Sequence, residues 1–258
     1  MNSERWHRRA RATGDLLYGV HPIMEALDAG REIERITVQD GLRAEGLAEL
    51  TAVARQRGIP VKKVPSEWFL RLGQRNHQGV VASISPIVYQ RLEGLLPMIY
   101  ERGEDPPLIL LDGVTDVRNL GAIARTAECV GAHGLIVPMT GSASINADTV
   151  KTSAGALLHL PVCRVPNTVQ TVEYLRNSGL RVVAATEKGG TYYHLADLHG
   201  PICLVLGDEE QGIDNRILRL ADAEIRIPVH GRVQSLNVSV AAGVILYEME
   251  RQRGDARR

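Results

Sequence analysis

Aromatic side chains are scarce in this 258-residue chain, at 4% and with a single Phe, so an aliphatic core is expected. There are three cysteines, Cys129, Cys163 and Cys203, and they are isolated from one another. No CxxC pair or His/Cys cluster has metal-ligand spacing, which excludes a disulfide framework and a structural zinc site. A reducing, cytoplasmic setting fits. No apolar run reaches the roughly 20 residues that span a bilayer, and the basic N-terminus has no apolar stretch behind it to make a secretory signal. Lys plus Arg and Asp plus Glu number 30 each, so no global charge marks a nucleic-acid binder. No G-x-G-x-x-G follows a strand, and GxxxxGK[ST] and GxSxG are missing. These absences exclude a Rossmann dinucleotide site, a P-loop and a nucleophile elbow. No repeat or low-complexity segment is evident.

What is present is ordinary globular composition, 44% hydrophobic and 23% charged, in a chain long enough for two modest domains. The charge is uneven. Residues 1–90 hold thirteen Lys and Arg against ten Asp and Glu, whereas residues 91–258 hold seventeen against twenty. Residues 1–14 read as a flexible basic tail, with Arg5, Arg8, Arg9 and Arg11 around Trp6. As an arm, it could touch phosphates and stack a base. Residues 254–258 read as a second tail.

Residues 15–88 read as a small α/β domain. Strands are expected at 16–19, 35–39, 59–64 and 79–85. Helices are expected at 23–29, at 43–57 and, capped by Ser66, through Leu72. The loop 73–79 packs three amides, an Arg and a His into seven residues, a surface able to bond an exposed base and a phosphate. Residues 89–106, with Gly94, Pro97, Gly103, Pro106 and Pro107, read as a linker around a short helix at 92–100.

From residue 107 the pattern changes to apolar strands alternating with helices, which predicts a parallel α/β sheet over 107–253. Strands are expected at 108–111, 134–138, 180–185, 202–206 and 225–229. Asn119 is an expected N-cap for a helix carrying Leu120, Ile123, Ala127 and Val130. Arg125 on that helix lies above Gly121, and its guanidinium can reach back toward Asn119. A G-x-E-x-x-G turn, 207–212, holds Glu209 between two glycines that allow close backbone approach. The turn 186–190 is likewise Gly-rich. After 227 comes a polar loop, then a helix expected to start at Ser235 and to be buried, since it is apolar on nearly every face. Ligands of open α/β sheets bind at strand C-termini, where these loops gather.

Together these stretches resemble the SpoU (TrmH-like) RNA 2′-O-ribose methyltransferases of the SPOUT superfamily. The resemblance rests on residues 111–131 (LDGVTDVRNLGAIARTAECVG), 206–212 (LGDEEQG) and 227–241 (IPVHGRVQSLNVSVA). The segments from Tyr18-Gly-Val-His-Pro22 to His77-Gln-Gly79 are similar to the L30e-like substrate-binding domain of the 23S rRNA guanosine-2′-O-methyltransferase (RlmB-like) branch. The resemblance covers roughly residues 15–253. It implies S-adenosylmethionine as methyl donor, no metal, a trefoil-knotted C-terminal domain, a homodimer and an RNA substrate, foremost a guanosine of 23S rRNA. Alternatives are a tRNA or another rRNA site, or a non-catalytic ribosome-assembly protein on the same scaffold. Asn119, Arg125, Glu209, Ser235 and Asn237 fall on the family's catalytic positions. Gly207, Ile227 and Leu236, with Thr186 and Gly189 nearby, would hold the donor. Lys62, Lys63, Arg71, Arg75 and His77 are the RNA-binding expectations, from the basic and amide-rich character of the N-terminal surface.

Overall fold

The computed structural model describes residues 16–256 apart from 74, 209 and 234. The basic arm with Trp6 and the site residue Glu209 therefore lie outside the described residues. The described chain divides into two units, residues 16–88 with 145–147, and 89–144 with 148–256.

The first unit is a four-stranded mixed sheet in the order β1-β4-β2-β3. The strands are β1 (Leu16–Tyr18), β2 (Ile33–Gln39), β3 (Val61–Val64) and β4 (Val80–Ile84). Helices α1 (Val20–Asp28) and α2 (Leu47–Gln56) cover one face. Ile23, Leu27, Leu50 and Ala54 from the helices meet Ile36, Val38, Val80 and Ala82 from the strands. This is the period-2 against period-3.6 match expected of a half-covered sheet. On the opposite face Val64 and Val81 pack with Phe69 of a 3₁₀ helix, Ser66–Leu72. Ser66 does not cap that helix. Pro65 occupies the cap position, and no side chain bonds the first turn.

The second unit is built on a seven-stranded, all-parallel sheet in the order β7-β6-β5-β10-β8-β11-β9. In chain order its elements are α3 (Leu92–Glu101), β5 (Pro107–Asp112), α4 (Val117–Cys129), β6 (Gly134–Pro138), α5 (Ala147–Thr152), β7 (Val162–Val165), α6 (Thr168–Asn177), β8 (Arg181–Ala185), β9 (Thr191–Tyr192), β10 (Ile202–Gly207), α7 (Asn215–Leu220), β11 (Ala223–Arg226) and α8 (Val238–Ala256). Central strands β5 and β10 are buried from Leu108 to Leu111 and from Ile202 to Leu206, as their uninterrupted apolar sequences require.

Three expectations are corrected here. Residues 89–106 are not a linker, because α3 puts Leu92, Leu95, Leu96 and Ile99 into the core of the second unit. Gly94 and Pro97 obscured that i, i+3, i+4, i+7 pattern, yet both are exposed on the opposite side. The strand expected at 225–229 is β11, which ends at Arg226, so Ile227 lies beyond it. Helix α8 starts at Val238 rather than Ser235, and it runs through 254–256, which the composition assigned to a tail.

Candidate active site

β5, β8, β10 and β11 run parallel, so their C-terminal ends lie together, and the loops that follow them make the site. An open cleft lies there, at the strand ends where ligands of open α/β sheets bind. Thr186, Gly207, Ile227, Ser235 and Leu236 all line it, so five of the expected residues, from three separate stretches, converge on one space. Gly189 does not line it. It is buried where a Cβ would lie 2.6 Å from the carbonyl carbon of Ile225, so it lets the 186–189 turn lie against β11.

Gly207 is required for a related reason. A Cβ there would lie 2.4 Å from the Gly212 carbonyl carbon and 2.5 Å from the Ile213 nitrogen. The close approach is thus by the chain's own backbone, from the far side of the G-x-E-x-x-G turn. Asp208 closes that turn. Its Oδ1 accepts from the N–H groups of Glu210 (2.8 Å) and Gln211 (2.9 Å), and its backbone pairs with Gly212.

α4 is capped by Asp116, not Asn119. The Asp116 carboxylate accepts from Arg118 N at 2.7 Å and Asn119 N at 3.0 Å. The side chain of Asn119 is therefore turned to another use. Its Oδ1 accepts from Asn237 Nδ2 at 2.9 Å. Asn237, in turn, caps α8, its Oδ1 accepting from Ser239 N (3.0 Å) and the Ser239 hydroxyl (2.6 Å). One amide thus starts α8 and ties it to α4, next to Leu236 and Val238 of the cleft wall.

Arg125 is exposed and makes no hydrogen bond or ion pair with another described residue, Glu128 included. Gly121 does not serve to clear its path. A Cβ on Gly121 would lie 2.7 Å from Thr152 Cβ, so this glycine permits tight packing of α4 against the end of α5.

Sequence reasoning missed several parts of the site. Ile213, Ile225, Val238, Ala241 and Ile245 line the cleft, but as isolated apolar residues they carry the same signal as any core position. Arg226 lines it too. Its Nε is buried and has no hydrogen-bond partner among the described residues, while its guanidinium carbon sits 4.7 Å from the centroid of the Tyr192 ring. Asp112, at the end of β5, accepts from Asp214 N at 2.8 Å and thereby links the loops after β5 and β10. Burial pushes its carboxyl above the ordinary range, and the nearby Asp214 charge adds to this. Asp214 itself is held down to about 2, first by hydrogen bonding from Arg216. No group of acidic, His or Cys side chains able to hold a metal occurs among the described residues.

A parallel sheet with a cleft at its strand ends, walled by the loop and helix start that follow its last long strand, defines a ligand-binding α/β domain without a dinucleotide glycine loop. Residues 106–247 match the SpoU rRNA methylase family and residues 16–90 match the RNA 2′-O ribose methyltransferase substrate-binding family; the chain belongs to the SpoU rRNA methylase family. Its relatives include an uncharacterised tRNA/rRNA methyltransferase of Synechocystis, 39% identical over 93% of this chain and 63% of that one. A putative TrmH family tRNA/rRNA methyltransferase of Bacillus subtilis is 32% identical over 93% of this chain and 96% of that one. The chain thus spans less than two thirds of the first relative and nearly all of the second. Among solved structures, the SpoU methyltransferase AviRb of Streptomyces viridochromogenes in complex with AdoMet is 29% identical. It has a TM-score of 0.59 and covers 99% of this chain and 95% of its own.

Proposed function

We propose that this chain transfers a methyl group from S-adenosylmethionine to a ribose 2′-hydroxyl of RNA, a guanosine of 23S rRNA, in the cytoplasm. The observation that carries the reading is the Asn119–Asn237 hydrogen bond, which joins the first and third family-like stretches beside the cleft. No helix among the described residues is long and apolar enough to cross a membrane.

The cleft fits the donor's chemistry. Ile213, Ile225, Ile227, Val238, Ala241 and Ile245 offer an apolar wall for a flat heterocycle. Thr186 and Glu187 offer polar groups, and the orphaned Nε–H of Arg226 lacks an acceptor that a carboxylate would supply. When bound, the sulfonium donor supplies an electrophilic methyl, so that one O–C bond forms as one C–S bond breaks, a neutral thioether leaves, and the hydroxyl proton passes to a base or to water. Ser235, Asn119 and Asn237 position the ribose and the loop over it, and much of the rate can come from such positioning. A guanidinium stays charged across the physiological range, so Arg125 holds the target phosphate and favours the ionised hydroxyl electrostatically rather than accepting its proton. Glu209 enters this reading by the family resemblance alone, since it lies outside the described residues.

A second copy of this chain completes the assembly. Val240 and Tyr247, seven residues apart on α8, are 52% and 58% exposed. Apolar side chains left uncovered on one side of a helix need a covering surface.

The test is transfer of labelled methyl by the purified protein to 23S rRNA, to 16S rRNA and to tRNA, followed by mapping of 2′-O-methyl nucleotides. Label at one guanosine of 23S rRNA is expected. Label confined to tRNA or 16S rRNA selects the alternative substrate, as the tRNA/rRNA naming of the relatives allows. Donor binding without transfer to any RNA would overturn the catalytic reading.

A further inference from the structure

The face of the first unit's sheet that α1 and α2 leave uncovered carries two cation–aromatic pairs. Arg71 lies with its guanidinium carbon 3.7 Å from the centroid of the Trp68 ring. Its Nε donates to the Trp68 carbonyl at 3.0 Å, which holds the guanidinium in place over the ring. Arg75 donates to the Tyr18 hydroxyl and sits 5.4 Å from that ring's centroid. Both aromatics rest on the same small cluster of Val64, Phe69 and Val81, so the pairs share one foundation. His77 is part of that foundation. It stacks on Phe69 with centroids 4.7 Å apart, and its Nδ1 accepts from Gly79 N at 3.0 Å.

The register adds a third cation. Tyr18 pairs with Val81, Val81 with Thr37, and Thr37 with Lys62, so these side chains project from one face. Lys63 alternates to the other face and lines a groove beside α2 with Leu42 and Ala48. The structure therefore separates the RNA-binding expectations. Lys62, Arg71 and Arg75 fall on one surface, His77 buttresses it, and Lys63 is elsewhere. Leu70, 79% exposed on the 3₁₀ helix between Trp68 and Arg71, extends the surface with an apolar side chain.

We propose that this face, with the Arg71–Trp68 and Arg75–Tyr18 pairs as its two stations, is a stacking platform for unpaired RNA bases, each base lying on the outer face of a guanidinium. The proposal rests on RNA being the substrate, and it names which surface captures it and in what form. Guanidinium planes and aromatic rings are general partners for splayed-out bases. Along a duplex the base faces are stacked inside, and only phosphates, 2′-hydroxyls and base edges are presented, so it cannot use flat stations there. Bulk charge is not the basis, because Glu67 is exposed within the same 3₁₀ helix. The cations fix stacking partners and reach phosphates.

The chain has two tryptophans, so full-length Trp6→Phe protein reports on Trp68 alone. In that background, a 20-nucleotide unstructured RNA strand and the blunt duplex of the same sequence are titrated while Trp68 emission and affinity are read. The strand is expected to change the emission and to bind at least tenfold tighter than the duplex. Arg71→Ala should weaken strand binding about tenfold, the scale of one base stack, and raise the KM for RNA. Arg71→Lys keeps the charge but loses the plane, and should not restore binding. Equal affinity for duplex and strand, unchanged emission with RNA bound, or Arg71→Lys binding as tightly as the parent would each overturn the platform. Methylation of rRNA with an unaltered KM in Arg71→Ala would sink the platform and leave the proposed function standing. Strand binding with the expected emission change, but no methyl transfer to any RNA, would do the reverse.

Discussion

Arg125 and Gly207 illustrate two ways in which one residue can matter. Arg125 is exposed and bonds no other described residue, so removing it should leave the fold intact. Arg125→Ala is expected to keep donor affinity by calorimetry within about twofold and to lower methyl transfer by at least about a hundredfold, the scale of one lost electrostatic contact to a transition state. Full activity would remove Arg125 from the mechanism. Gly207 is the opposite case. Even Gly207→Ala places a carbon 2.4 Å from the Gly212 backbone, so the turn must open. A lowered melting temperature and weakened donor binding are expected together. Loss of binding with an unchanged melting temperature would show that the clash is with ligand rather than backbone.

At the scale of elements, the join between α4 and α8 depends on two amides. Asn237 starts α8 and bonds Asn119. Loss of a cap alone costs about 1 kcal/mol. In a double-mutant cycle, Asn237→Ala should cost more stability than Asn119→Ala, and the two should couple by roughly 0.5 kcal/mol or more. Strict additivity would deny the bond a role in solution. The other end of α8 is held by Glu248, Arg251 and Gln252. Gln252 Oε1 accepts from Leu198 N at 2.8 Å, and its Nε2 donates to Ala196 O at 3.0 Å and to Glu248 Oε1 at 2.8 Å. Hydrogen bonding from Arg251, and then from Gln252, holds the Glu248 carboxyl down to about 2. A depressed carboxylate stabilises the fold fully above its unfolded value of about 4.3. That contribution is lost as pH falls from there through about 2. In denaturant melts, wild type should therefore exceed Glu248→Gln at pH 6, and the gap should narrow steadily as pH falls from about 4 toward 2. A gap that persists would assign the difference to packing.

For the whole molecule, the uncovered side of α8 carries the prediction. Val240 and Tyr247, with Val229, Val233 and Leu236 in the preceding stretch, leave apolar side chains in water, and Val229 and Leu236 belong to the cleft wall. Sedimentation at micromolar concentration is expected to give a dimer, and Tyr247→Glu with Val240→Glu a monomer. A monomeric wild type would refute the proposed second copy.

The sequence by itself determined most of the strands, though not β7 or β9, and which loops hold polar groups. Local patterns carry that information, as the apolar run of β5, the helical repeat of Leu120, Ile123 and Ala127, and the G-x-E-x-x-G turn show. The family resemblance of its stretches, rather than composition, singled out Thr186, Gly207, Ile227, Ser235 and Leu236, which line one cleft. Only the tertiary structure decided what each does. The caps at Asp116 rather than Asn119, and at Asn237 rather than Ser235, follow from where each helix starts, with Asn119 already inside α4. Gly121 is required by the Thr152 side chain, Gly189 by the Ile225 backbone and Gly207 by the return of its own turn at Gly212, and α8 is half exposed where its composition predicts burial. The Asn119–Asn237, Gly121–Thr152 and Gly189–Ile225 contacts join residues far apart in sequence, and local periodicity contains no term for such contacts.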